Sequence, residues 1–353
     1  MGKNIKHFVR DSWLTASYYT GLSQLYHALA GRKRGIISYH NVLRVDKLPT
    51  FDTYNVDVTA AIFDKQLHFL KKHFRVQPIQ EIENPNAKGV FITVDDGMRN
   101  NYEVLAPILE KHEISALFAI CPAMVDRQLP YIWRDHLFLL LCQAANQSVR
   151  LPLDDYQAPF RVPETPAGIN NLTRQLKQYV YKHQLADVYG LVREICQKNG
   201  WAYEVPSPDG LRYDFMTWPQ IRALVAQGHR VASHTQTHRV LRFLGQEEKK
   251  VELEASKQRL ETELKQEVPL FVYPYGSRAE IDQVTVDAVQ EAGYRMALMN
   301  VQQPNLFPLT FSQPRFAFPP ISDSSHLHAV VSGYKFLETG HLLMLNKLDL
   351  SLL

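Results

Sequence analysis

Two adjacent carboxylates follow an apolar run in the first third of the chain. Asp95 and Asp96 come directly after Gly89–Val94, whose β-branched and aromatic residues predict a buried strand. Parallel α/β folds build their sites at the carboxyl ends of strands. Two neighbouring carboxylates repel one another there, so a cation would stabilise them. The alternative interpretation is an Asp-Gly turn that caps a helix, because Gly97 comes next.

Two histidines follow a second apolar run. His234 and His238 lie four residues apart, directly after the predicted strand at 230–232, and can face one metal ion if the segment is helical or tightly turned. A pair of solvated loop histidines is the alternative. Imidazole and carboxylate ligands suit Zn²⁺, with Co, Ni, Fe or Mn as other divalent candidates. Three protein ligands would leave an open position for water, which indicates a catalytic metal.

A third polar turn follows the run Leu270–Tyr273. Pro274, Tyr275 and Gly276 predict a fixed turn that can present a backbone N–H to a developing oxyanion. An aromatic turn that caps the core is the alternative.

These motifs need a scaffold that brings strand ends together. Short apolar strands alternate with helical periodicity from residue 35 onward, which predicts a parallel sheet or a β/α barrel. Residues 122–215 interrupt the alternation, and we interpret them as a mostly helical insertion, since a structureless loop of that length is unusual. Within the insertion, Trp133, Arg134 and Asp135 could contact a glycan, although a local salt bridge beside a core aromatic is the simpler interpretation.

Composition narrows the class of protein. The chain has 353 residues and a formal net charge of +3, which does not indicate a nucleic-acid partner. Three scattered cysteines predict no disulfide framework. The sequence shows neither a signal-peptide pattern nor a run of about 18 apolar residues, so we expect a cytoplasmic protein.

The N-terminal segment, residues 1–34, has helical apolar periodicity with cations at both ends. It predicts either an amphipathic helix lying on the inner face of an anionic membrane or a helix packed on the main domain.

The order Asp-Asp-Gly, Ser-His-x-x-x-His and Pro-Tyr-Gly resembles the polysaccharide deacetylase family, which carries the NodB-homology domain. The resemblance implies an α/β fold, a distorted (β/α) barrel with fewer than eight strands and a metal at its open end. The barrel would comprise residues 35–121 and 216–325, separated by the insertion, with 326–353 as a C-terminal tail.

The resemblance also implies roles for individual residues. Asp96, His234 and His238 would be the metal ligands, and Asp95 the general base that deprotonates the attacking water. The backbone N–H of Tyr275 would hold the oxyanion, with Pro274 and Tyr275 contacting the substrate.

The chain departs from the family pattern at two points. No arginine precedes the Pro-Tyr element, and Arg315 is the candidate to supply that charge near the base or the substrate. No Leu-x-His element follows a late strand, so His40 is the candidate general acid, with His326 and His328 as poorer ones. A hydrogen-bonded barrel histidine is the alternative interpretation of His40.

Together these features predict a metal-dependent hydrolase of carbohydrate metabolism. The expected reaction removes an N-acetyl group from an amino sugar of a polysaccharide or a lipid-linked glycan. Two alternatives stay open: a catalytically decayed glycan-binding protein on the same barrel, and a hydrolase of another amide or of an O-acetyl ester.

Overall fold

The fold is described from a computed structural model. It describes residues 12–29, 34–45, 57–153, 159–206, 209–300, 309–318, 320 and 322–332. The other residues of the predicted N-terminal segment and C-terminal tail, 1–11, 30–33 and 333–353, lie outside the described residues. No helix of the described part of the chain is both long enough and apolar enough to cross a bilayer.

Parallel strands form the centre of the molecule. In chain order the described strands are β1 (Arg34–Tyr39), β2 (Asn41–Leu43), β3 (Asp57–Thr59), β4 (Gly89–Val94), β5 (Ala116–Ile120), β6 (Ser148–Val149), β7 (Phe160–Arg161), β8 (Arg230–Ser233), β9 (Leu270–Val272), β10 (Met296–Met299), β11 (Gln313–Pro314) and β12 (Phe316–Ala317). The main sheet has the order β11-β10-β9-β8-β5-β4-β1-β12. Every strand pair in it is parallel.

One short segment nearly closes this sheet into a barrel. β11 pairs with β10 at one edge, and β12 pairs with β1 at the other edge. Only Arg315 separates β11 from β12 along the chain, so the two edges of the sheet meet at this residue. Six longer strands and the divided segment 313–317 therefore make up the barrel, and the predicted distorted barrel is confirmed.

Helices alternate with the strands along the chain, and several of them lie in the 122–215 segment. The helices are α1 (residues 12–19), α2 (Leu22–Leu29), α3 (Ala60–His73), α4 (Ala106–Lys111), α5 (Pro122–Val125), α6 (Trp133–Gln143), α7 (Pro166–Lys182), α8 (Val188–Asn199), α9 (Gly210–Tyr213), α10 (Trp218–Ala226), α11 (Gln246–Leu264), α12 (Gln283–Glu291) and α13 (Ser324–Ser332). One π-helical turn, Asn101–Leu105, precedes α4, and three short 3₁₀ turns are Ile79–Glu83, Leu241–Phe243 and Leu309–Phe311.

The barrel and the 122–215 segment have separate apolar cores. Side chains of β1, β4 and β5 are almost fully buried on both faces, as parallel strands require. Helices α6, α7 and α8 pack around a second cluster that includes Trp133, Phe138 and Leu176. This cluster lies in the segment for which the sequence predicts a helical insertion.

Residues 12–29 and 326–332, which are the described parts of the two predicted terminal segments, form packed helices. The N-terminal segment contains two helices rather than one, because Gly21 adopts a left-handed conformation (φ 81°) between α1 and α2. Leu14 packs with Ala329 of α13, so residues 326–332 are part of a packed helix and not of a tail.

Candidate active site and metal centre

The predicted site residues follow strands that end at the same end of the barrel, with β5 between β4 and β8. Backbone hydrogen bonds extend the sheet to them: Asp95 N donates to Tyr39 O at 2.9 Å, and His234 N donates to Ile120 O at 3.0 Å. The carboxyl ends of β4 and β8 thus lie at the same edge, which is where parallel folds build their sites. The strand ends bring the Asp-Asp pair and the two histidines together.

Asp96, His234 and His238 converge. Asp96 Oδ1 lies 3.1 Å from His238 Nε2 and 3.5 Å from His234 Nε2. One ligand atom from each residue lies within 4.8 Å of the others, and both histidines are buried. Within the described ranges, this is the group of His, Cys, Asp and Glu side chains with the geometry to hold a metal ion.

Outer hydrogen bonds orient both imidazoles. His234 Nδ1 donates to the carbonyl oxygen of Val272 at 2.6 Å, which leaves Nε2 as the lone-pair nitrogen toward Asp96. His238 Nδ1 lies 3.2 Å from the Tyr275 hydroxyl, which also accepts a hydrogen bond from Trp133 Nε1 at 2.8 Å. Partners of this kind fix ring orientation and tautomer in metal sites.

The donor set fits a divalent cation. Asp96 Oδ1 is buried and has no hydrogen-bond partner among the described residues, although two imidazole nitrogens face it. Burial acts to raise the pKa of Asp96, but the facing histidines outweigh it and hold that pKa well below its ordinary value. Burial lowers the pKa of His238, which favours the neutral imidazole. A carboxylate and two neutral imidazoles suit Zn²⁺ or a similar ion.

The site backbone is held in an unusual conformation. Asp96, Thr235, His238 and Tyr275 all have φ between 60° and 75°, in the left-handed region. These are four of the nine such non-glycine residues in the described part of the chain, and each costs of order 1 kcal/mol or more. The His234–His238 segment is therefore a tight turn and not a helix, and the Thr235 hydroxyl accepts a hydrogen bond from His238 N at 2.9 Å.

Arg315 clamps Asp95. Its Nη1 and Nη2 donate to Asp95 Oδ1 and Oδ2 at 2.7 and 2.9 Å, and Nη1 also donates to Thr93 Oγ1 at 3.0 Å. Burial acts to raise the pKa of Asp95, but Arg315 and His40 bring it below its ordinary value. Two roles were open for Arg315, a contact with the base or a contact with the substrate. Because Arg315 is only 1% exposed, its position favours the contact with Asp95.

The remaining predicted residues divide into two groups. His40 and Tyr275 line the same cavity as Asp95 and the ligand triad, and His40 Nε2 lies 3.8 Å from Asp95 Oδ2. Pro274 is buried and is not among the residues that line the cavity, so it shapes the turn instead of contacting substrate. His326 and His328 lie on α13 and do not line the cavity.

The sequence does not single out Ile132 and Arg212 of the cavity wall, whereas Arg134 and Asp135 are predicted as possible glycan contacts. The cavity, of about 50 Å³, is lined from the 122–215 segment by Ile132, Arg134, Asp135 and Arg212. Trp133 also contributes through its bond to Tyr275. The adjacent charges of Arg134 and Asp135 indicate a polar contact, but the sequence does not show that Arg212 is the residue that faces Asp135.

A larger cavity of about 730 Å³ lies beside Ile114 and His229, at the amino ends of β5 and β8. It contains none of the predicted site residues.

Comparisons with known proteins identify a family and a shared fold. The family model described as polysaccharide deacetylase matches residues 82–297. A search of curated proteins finds no match for the chain. Among solved structures, the Streptococcus pyogenes deacetylase PplD, described in complex with acetate, is 16% identical with a TM-score of 0.53, covering 86% of this chain and 99% of that one. A polysaccharide deacetylase from Bacillus cereus is 16% identical with a TM-score of 0.51, covering 85% of this chain and 69% of that one.

At these identities the solved structures show a shared fold, and the family match carries the assignment. The match spans more than half of the chain and includes Asp95, Asp96 and both histidines. The chain therefore belongs to the polysaccharide deacetylase family, with its NodB-homology domain, and is a deacetylase.

Proposed function

We propose that this protein is a metal-dependent hydrolase that removes an N-acetyl group from an amino sugar of a polysaccharide or a lipid-linked glycan. The observation that carries the proposal is the convergence of Asp96, His234 and His238 beside a second carboxylate, Asp95, that Arg315 holds in place. An intact base of this kind has no use in a purely glycan-binding protein, which disfavours the decayed alternative.

The proposed roles follow from the positions of the side chains. A divalent ion held by Asp96, His234 and His238 would supply Lewis-acid polarisation of the acetyl carbonyl and lower the pKa of a water. Asp95 accepts the proton of the attacking water, since Arg315 keeps it ionised and fixes its direction. The backbone N–H of Tyr275 donates to the developing oxyanion. His40, on the Asp95 side of the cavity, donates the proton to the leaving amine.

Acetate release tests this proposal directly. We expect purified protein loaded with Zn²⁺ or Co²⁺ to release acetate from acetylated amino-sugar oligosaccharides. A chelator should abolish the activity, and added metal should restore it. Activity on O-acetyl esters with none on N-acetyl sugars would instead support the ester alternative. Metal uptake with no hydrolysis of either class would contradict the proposal.

We also propose that the N-terminal helices contact an anionic membrane at its cytoplasmic face. Five of the eight exposed large apolar side chains among the described residues lie on α1 and α2. Leu22, Leu25 and Leu29 share one face of α2 at three- and four-residue spacing, and Tyr19 is 78% exposed. Lys3, Lys6, Arg10, Arg32 and Lys33 flank these helices in the sequence. Arg34 is used elsewhere, since its guanidinium donates to the carbonyl oxygens of Ile82 and Asn84.

Vesicle binding tests the membrane contact. We expect sedimentation with phosphatidylserine-containing vesicles that weakens with added salt, because exposed charges are screened. The double variant Leu25→Glu/Leu29→Glu should reduce partitioning at least about tenfold, since each leucine contributes apolar burial. Val251→Glu, at an exposed valine on α11, is the matched control and should bind as wild type does. Equal binding of the double variant and wild type would overturn this proposal.

A further inference from the structure

The 122–215 segment places opposite charges side by side in the cavity wall. Asp135 and Arg212 both line the cavity that contains the ligand triad, and the Asp135 Oδ2 to Arg212 Nη1 distance is 3.6 Å. Helix α6 contributes Asp135 and the short helix α9 contributes Arg212. The mechanism proposed above uses neither residue.

A second carboxylate, Asp57, fixes the orientation of the Arg212 side chain. Its Nε donates to Asp57 Oδ2 at 2.8 Å, and both side chains are almost completely buried. The Asp209 side chain caps α9 by accepting from Arg212 N, which orients the residue at the backbone as well. Arg212 Nη1 is nevertheless buried with no hydrogen-bond partner in the described part of the chain. One donor of a rigidly held guanidinium therefore stays unused in the cavity wall.

Asp135 is the complementary acceptor. Its side chain is 10% exposed, and its contact with Arg212 Nη1, at 3.6 Å, is longer than a hydrogen bond. Burial raises the pKa of Asp135 against the opposing effect of Arg212 and Arg134, which agrees with a carboxyl group that is poorly solvated. The two charged groups face each other at 3.6 Å, which is too long for a hydrogen bond, so each keeps hydrogen-bonding capacity for a molecule that enters the cavity.

We propose that Asp135 and Arg212 bind hydroxyl groups of the sugar ring that carries the acetyl group, and so determine substrate specificity. The proposal rests on the proposed function, because it places the sugar at the mouth of the same cavity. Asp135 and Arg212 line the same cavity as Asp96, His234 and His238, so groups close to the reacting amide can reach them.

The chemistry selects hydroxyl groups over other substituents. A hydroxyl both donates and accepts, so one hydroxyl or two neighbouring ones satisfy a carboxylate and an arginine N–H together. A phosphate or carboxylate on the substrate would be attracted by Arg212 but repelled by the adjacent Asp135 carboxylate, so a group that both donates and accepts suits the pair better. An apolar group would leave both protein groups unpaired. Arg134 is placed differently, since its guanidinium stacks on the Tyr275 ring at 4.8 Å.

A comparison of two substrates on the metal-loaded enzyme tests the proposal. The variants are Asp135→Asn, which removes the charge at nearly constant volume, and Arg212→Lys, which keeps a cation near Asp57 and loses the Nη1 donor. The substrates are an N-acetylglucosamine oligosaccharide and 4-nitrophenyl acetate, which has no sugar ring. For each variant we expect kcat/KM on the oligosaccharide to fall about 10- to 100-fold, mainly through KM, as for a lost hydrogen bond to a charged group. The loss on the ester should be at least about tenfold smaller.

Glu194→Gln, an exposed carboxylate on α8 in the same segment, is the control and should match wild type on both substrates. Equal losses on the two substrates would overturn the proposal. A fall in kcat alone, together with loss of the alkaline limb of the pH profile, would also overturn it by making Asp135 a proton donor. If wild type released no acetate, the proposed function would fail. If it did and both variants behaved as wild type, only the hydroxyl contact would fail.

Discussion

Replacing His234 with asparagine is expected to remove metal binding while the barrel stays folded. The asparagine Nδ2 can take the place of the imidazole Nδ1 and donate to the Val272 carbonyl, which His234 Nδ1 contacts at 2.6 Å. The variant lacks the Nε2 atom that faces Asp96. Loss of an outer partner of a metal ligand typically costs 10- to 100-fold in affinity, so loss of the ligand itself should exceed about 100-fold. Acetate release should fall about 1,000-fold or more at limiting metal.

The matched control is His229→Asn, at the other end of the same strand. His229 is also buried, and its Nδ1 accepts a hydrogen bond from Ala116 N at 3.0 Å. An asparagine Oδ1 can accept that bond, so the variant should keep metal affinity and activity. The measurements are metal content by mass spectrometry, metal affinity by competition, and acetate release. A His234→Asn protein that binds zinc as tightly as wild type would exclude His234 as a ligand.

The sequence predicts this part of the site well because each motif follows a strong strand signal. The predicted strand Gly89–Val94 has the observed bounds, and its two carboxylates come directly at its end. Parallel strands bring their carboxyl ends together whatever the intervening sequence contains. A short motif after each strand is therefore enough to locate Asp96 next to His234 and His238.

The closure of the barrel is less predictable. The strands on either side of Arg315 are two residues long, which is too short to show a hydrophobic period. The departure from the family pattern indicates that a positive charge near the base is missing, and Arg315 is the candidate for it, but the sequence does not show how Arg315 would reach the base. Its bidentate contact with Asp95 depends on both edges of the sheet meeting at this residue.

The cavity wall is the least predictable part. Asp135 and Arg212 are far apart in sequence and meet because α6 and α9 approach the same barrel end. No local periodicity encodes that contact, since it follows from packing of the second apolar core.

The conformation of the histidine motif is also not predictable from its spacing. The spacing of His234 and His238 allows a helix or a turn, and the left-handed conformation at Thr235 and His238 shows that it is a turn.

Replacing Asp95 with asparagine is expected to reduce acetate release about 100- to 10,000-fold with the metal still bound. The amide cannot accept the proton of the attacking water, and general-base catalysis typically contributes this factor. Asp95 does not belong to the ligand triad, so metal content and affinity should stay near those of wild type. Asp95→Asn should therefore lose activity and keep the metal, whereas His234→Asn should lose both.

Asp95→Asn also leaves Arg315 without its charged partner. Removing one member of a buried pair typically lowers the free energy of unfolding by up to about 3–5 kcal/mol, so thermal unfolding must be measured alongside activity. Asp126→Asn is the matched control, because Asp126 also accepts two hydrogen bonds from one arginine, Arg259, at 2.8 and 2.9 Å, away from the cavity. The control should lose some stability and keep its activity. If folded, metal-loaded Asp95→Asn released acetate within about threefold of wild type, Asp95 would not be the base, and His40 would be the remaining group beside it to test for that role.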